Sequence, residues 1–168
     1  MIAIYKKELR AYFSSMIGWM FLAFFFLGIG FYHATINLLQ GYGLLTYALT
    51  SVTIIIILII PIFTMRIMAE EGRQKTDQLL YTSPVSIVQI VLGKFFAMAT
   101  IFAIGVAVLA LYPLTMMPYG DVVFVQEYVS LAGFFLMGCV YMAIGMFISS
   151  LTTSQILAAV ITIGVFLF

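Results

Sequence analysis

Long apolar runs separated by short polar islands set the pattern of this chain. No charged residue falls between Arg10 and Arg66, between Lys94 and Asp121, or after Glu127. Each gap can hold at least one helix crossing a hydrocarbon core of about 30 Å, which takes roughly 20 residues. The islands are therefore loops and surface segments. The pattern predicts an all-α polytopic membrane protein forming one transmembrane domain over 1–168. Its parts are an amphipathic entry helix over 1–16, spans over 17–36, 44–65, 86–112, 129–148 and 155–168, and a polar segment over 66–85.

Within 1–16, Ile2, Tyr5, Leu9, Tyr12, Phe13 and Met16 recur at helical spacing, with Lys6, Lys7, Arg10 and Ser14 on the other side. This predicts a helix on the membrane surface, its aromatics in the acyl boundary and Lys6, Lys7 and Arg10 on anionic headgroups. A cleaved signal peptide is disfavoured, because the apolar run is too long and no small-residue cleavage site follows it. In the first span Trp19 lies near the inner end and Tyr32 and His33 near the outer end. His33 is the only histidine. With no Cys, Asp or Glu close in sequence to complete a metal or proton site, it reads as an interfacial residue. Asn37, Gln40, Gly41 and Gly43 mark a short outer loop, and Pro61 predicts a bend that redirects the inner end of the second span.

Ser86 can cap a third helix that runs to Tyr112 and is ended by Pro113. Gly93, Ala97, Ala99, Ala103 and Ala107 give it small-residue faces for close helix contact. Lys94, about two turns inside, reads as snorkelling toward headgroups. The outer connection over 113–128 carries Asp121 and Glu127. Gly138 and Gly145, seven apart in the fourth span, predict another packing seam. Residues 149–154, SSLTTS, form a small polar inner turn, and Gln155 opens a fifth apolar helix. From there to Phe168 a helix reaches roughly 21 Å, short of the hydrocarbon core. The expectation is a fragment of a longer parent chain that completes this span.

Composition agrees with the pattern: 65% of residues are hydrophobic, 8% are charged and the mean hydropathy is +1.23. The net charge of +1 says little, but its distribution says more. Lys6, Lys7, Arg10, Arg66, Arg73, Lys75 and Lys94 all fall in islands that alternate spanning puts on one side, and Asp121 and Glu127 fall on the other. The positive-inside rule then makes the N-terminus and the 66–85 segment cytoplasmic. Cys139 lies in an apolar run and reads as a packed thiol. No basic patch suited to nucleic acid occurs.

The 66–85 segment, RIMAEEGRQKTDQLLYTSPV, concentrates charge in an otherwise apolar chain. Glu71 and Lys75, then Arg73 and Asp77, are spaced for ion pairs along a short helix; Leu79 and Leu80 give it an apolar end and Ser83-Pro84 stops it. Chemistry of its own is missing. Gly93-Lys94 lacks the preceding glycine of a phosphate-binding loop, and there is no HExxH, no Cys/His cluster and no paired intramembrane carboxylate. His33 and the Ser-rich segments belong to opposite sides, so no nucleophile and base meet. No catalytic or metal-binding residue is assigned. The spans also lack the ionisable midplane residues of ion-driven carriers, so any energy source lies in another chain.

With IYKKELRAYFSS at its entry helix, IPIFTMRIMAEE leaving the second span, then KTDQLLYTSPVS, VLGKFFA and FISSLTTSQILAA, the chain resembles the membrane subunit of ABC-2 type transporters. It is most similar to the branch of gliding-motility-associated and nitrous-oxide-reductase-maturation permeases. The resemblance runs over essentially the whole chain. It departs at Lys75, which precedes Thr76 where many members have glycine, and in lacking a sixth span. It implies six spans per subunit, a second permease subunit in a homo- or heterodimer, and a separate cytoplasmic ATPase that binds the ATP and Mg, this chain holding no cofactor. The implied role is an exporter permease of a bacterial inner membrane. By the same resemblance Glu70, Glu71, Arg73, Gln74, Lys75, Thr76, Asp77, Leu79 and Leu80 form a coupling helix that docks on the ATPase. Ser149, Ser150, Leu151, Thr152, Thr153 and Ser154 form the second contact. The contrasting reading is a membrane scaffold that anchors an assembly and transports nothing.

Overall fold

The computed structural model describes residues 2–40, 45–74, 86–117, 123–152 and 154–167, and the side chains there except those of 17, 66–74 and 116. Among the described residues there is no strand. The helices are α1 (Ile2–Ser14), α2 (Met16–Tyr32) running on into a π-helical segment (His33–Leu39), α3 (Leu45–Gln74), α4 (Ile87–Leu109), the short α5 (Tyr112–Met116), α6 (Phe124–Leu151) and α7 (Gln155–Leu167). Four stretches are long and apolar enough to cross a membrane: Gly18–Leu39, Leu45–Met65, Ile87–Thr115 and Phe124–Leu151. α7 is apolar but shorter. The chain is an all-α, multi-pass membrane protein.

α3 packs on α2, α6 and α7, α4 packs on α1 and α6, and α6 packs on α7. We call proximal the end where α1 turns into α2 and α3 runs on past Met65, and distal the end of the π-helical segment. Phenylalanines fill the interior. Phe21 stacks on Phe63 with centroids 4.3 Å apart, Phe25 meets Phe102 at 5.6 Å, and Phe102 meets Phe134 at 5.9 Å. This cluster joins α2, α3, α4 and α6. Glycines make room for it: a Cβ at Gly105 would lie 2.8 Å from the Phe25 ring, and one at Gly138 would overlap Phe102. Gly145 does the same for Thr64 of α3. The Gly138/Gly145 stripe is thus a packing seam, but it serves two neighbours, α4 and then α3.

Several element ends differ from expectation, each for a local reason. Pro61 sits inside α3, which runs uninterrupted from Leu45 to Gln74, so the polar segment's first residues continue the span as one helix. Pro113 stands in the first turn of α5, where its missing N–H leaves nothing unpaired, so it opens a helix rather than ending one. Asn37 is buried inside the π-helical segment and not in a loop. α6 begins at Phe124, which takes Glu127 out of the outer connection and into the bundle. At its other end α6 continues through Leu151, so Ser149 and Ser150 are helical. Ser86 caps α4 as expected, its Oγ accepting from the Gln89 N–H at 3.4 Å.

Within α4, Gly93, Ala97 and Ala99 are buried in helix contact. Ala103 and Ala107 are not: with Leu131 and Phe135 of α6 they line an open apolar groove of about 320 Å³.

Candidate functional site

At the proximal end, α3 continues as helix past Met65 to Gln74. Its 30 residues amount to about 45 Å of helix, against about 30 Å of hydrocarbon core. Glu70, Glu71, Arg73 and Gln74 therefore belong to the same helix as the second span. Lys75, Thr76, Asp77, Leu79 and Leu80 lie outside the described residues.

The end of α6 is fastened to this helix. Ser149 is fully buried, and its Oγ donates to the Met65 carbonyl at 3.1 Å, one residue before Arg66. Thr64 packs into the gap at Gly145 and donates back to the Pro61 carbonyl at 3.3 Å. Of the expected second contact residues, Ser149 thus packs against α3. Ser150 and Leu151 are exposed, and Thr152 and Ser154 are half-buried. Ser150 donates to the Phe147 carbonyl at 2.6 Å and Thr152 to the Ser154 carbonyl at 3.4 Å, so both hydroxyls brace the turn into α7. Thr153 lies outside the described residues. The structure thus sets the end of α6 directly beside the start of the polar segment.

The same two helices are joined at the distal end. Glu127, 0% exposed, accepts the Leu45 N–H on Oε2 at 3.1 Å and so caps the N-terminus of α3 with its carboxyl group. Thr46, the next residue of α3, and Ser130, about one turn along α6, share a hydrogen bond of 3.0 Å. α3 and α6 run in the same direction and are hydrogen-bonded at Leu45 and again at Met65.

A second distal cluster surrounds His33. The imidazole is 7% exposed, its Nε2 is 3.2 Å from the Thr115 Oγ1, and its ring lies 4.5 Å from that of Tyr112. This packing against α5 buries the imidazole within the protein.

Sequence reasoning missed the buried charges. Lys94 does not snorkel: it is 1% exposed, with Nζ 4.0 Å from the Glu8 Oε1. The α1 face that holds Glu8 also turns its aromatics inward. Tyr5 hydrogen-bonds Thr100 at 3.0 Å and Tyr12 meets Phe63 at 4.9 Å, while Ile2 and Met16 stay exposed. Tyr5 and Tyr12 of the apolar stripe of α1 are therefore engaged with protein. Lys6, Lys7 and Arg10 are exposed on its outer side. Lys94 and Glu127 lie near opposite ends of the bundle, away from the midplane. Among the described residues no group of His, Cys, Asp and Glu could hold a metal ion.

No curated protein and no solved structure matches the chain. The family model for ABC-2 family transporter proteins matches residues 2–168, nearly the full length, and the chain belongs to that family.

Proposed function

We propose that this chain is the membrane-spanning permease subunit of an ATP-driven exporter. ATP and Mg are bound by a separate cytoplasmic ATPase, and a second permease subunit, identical or related, completes the transporter. The chain is a transport subunit and performs no chemistry itself. The proximal end faces the cytoplasm of a bacterial cell, because the basic residues gather there.

One observation carries the reading: α3 continues unbroken beyond its span to Gln74, with the end of α6 bonded beside it at Met65. An ATPase holding Glu70, Glu71, Arg73, Gln74, Lys75, Thr76, Asp77, Leu79 and Leu80 grips a lever whose other arm is the second span. Ser150, Leu151, Thr152, Thr153 and Ser154 provide the adjoining contact. Closure of two ATPases on ATP then tilts α3 and α6 together and changes the path between subunits.

The test is coupling. In proteoliposomes holding the permease and its ATPase, Glu71→Ala is expected to keep ATP hydrolysis while lowering flux per ATP. Unchanged flux for every substrate tried, with the ATPase still bound, favours a scaffold instead.

A further inference from the structure

The N-terminal helix is held to α4 by polar contacts between residues far apart in sequence. Lys94 lies two turns into α4, its side chain 1% exposed, and its Nζ is 4.0 Å from the Oε1 of Glu8, which is 14% exposed. Lys7 approaches the same oxygen from outside at 3.9 Å. A turn away, the Tyr5 hydroxyl lies 3.0 Å from the Thr100 Oγ1. An ammonium group withdrawn from water and lipid headgroups is tolerated only beside compensating charge and hydrogen bonds. Through Glu8, the seating of α1 on α4 supplies part of that compensation. α4 starts at Ile87, directly after the segment assigned to the ATPase contact.

We propose that Glu8 and Lys94 are positioning residues in the path from ATPase to bundle. They make α1 travel with α4 when the cytoplasmic segment moves, so the N-terminal helix is a moving part of the permease and not a passive surface anchor. The inference rests on the permease reading above.

The experiment places cysteines at Tyr5→Cys and Thr100→Cys in a Cys139→Ala background of the permease. A bifunctional thiol reagent then joins α1 to α4, without nucleotide and with the ATPase trapped by ATP and vanadate. The expected result is equal cross-linking in both states, with hydrolysis retained by the cross-linked protein. Glu8→Gln and Lys94→Gln should each reduce the yield several-fold, and the swap Glu8→Lys with Lys94→Glu should recover it. The swap keeps the test decisive if either single variant folds poorly. The proposal is overturned if the single variants cross-link like the parent, if the swap recovers nothing, or if trapping lowers the yield several-fold with the pair intact. A preparation that retains no ATPase defeats the permease reading and the travelling role with it. The nucleotide-free arm still reports on the pair, which tells the two failures apart.

Discussion

The hydroxyl of Ser149 donates to the carbonyl of Met65 at 3.1 Å, fastening the end of α6 to α3 where α3 leaves the bundle. Two segments 84 positions apart in sequence thereby become neighbours at the surface assigned to the ATPase. Ser149→Ala should lower stability by about 1 kcal/mol, the usual net worth of one such bond. Thermal unfolding in detergent checks this. A melting temperature equal to that of the parent would mean the contact contributes nothing.

The glycines on α6 make graded expectations. Gly138→Ala pushes a methyl into Phe102 and Gly145→Ala one into Thr64, so each should cost about 1–3 kcal/mol through overpacking. Thr64→Ala should restore part of the Gly145→Ala loss, because it removes the hydroxyl in the way. Gly133 has nothing within 4 Å of a built Cβ, and Gly133→Ala should be neutral or stabilising by up to about 1 kcal/mol. Equal losses at all three positions would contradict the packing described.

Glu127 and Leu45 give a test of the distal clamp. Glu127→Gln keeps a carbonyl oxygen for the Leu45 N–H and should stay within about 1 kcal/mol of the parent. Glu127→Leu removes the acceptor and leaves that buried N–H orphaned, which should cost about 1–3 kcal/mol. Measured side by side by thermal unfolding, a leucine variant as stable as the glutamine variant would remove the clamp from the mechanism.

The all-α membrane architecture was legible because charge cannot easily enter lipid: the gaps between Arg10 and Arg66 and after Glu127 announce spans without any knowledge of packing. Local signals also read correctly where the physics is local, as at Ser86, whose hydroxyl caps α4 within three residues. The errors arise where the deciding partner is distant in sequence. Glu127 looked like a loop acid because its partner Leu45 is 82 positions away, and Lys94 looked like a snorkelling residue because Glu8 covers it from another helix. The burial of His33 was not legible for the same reason, its partners Tyr112 and Thr115 lying in α5. Pro61 does not end the helix: Phe63 and Thr64 beyond it pack against α2 and α6, and α3 continues to Gln74. Of the proposed coupling residues, Glu70, Glu71, Arg73 and Gln74 extend α3, an arrangement that charge spacing alone does not distinguish from a separate short helix.

The most direct test of the permease account is co-purification of the permease in gentle detergent, with and without Glu71→Lys and Asp77→Lys together. The expected result is a nucleotide-binding ATPase recovered with the parent and lost with the charge-reversed variant. Recovery of no ATPase with either protein would contradict the account and leave the 66–85 segment a solvated connector.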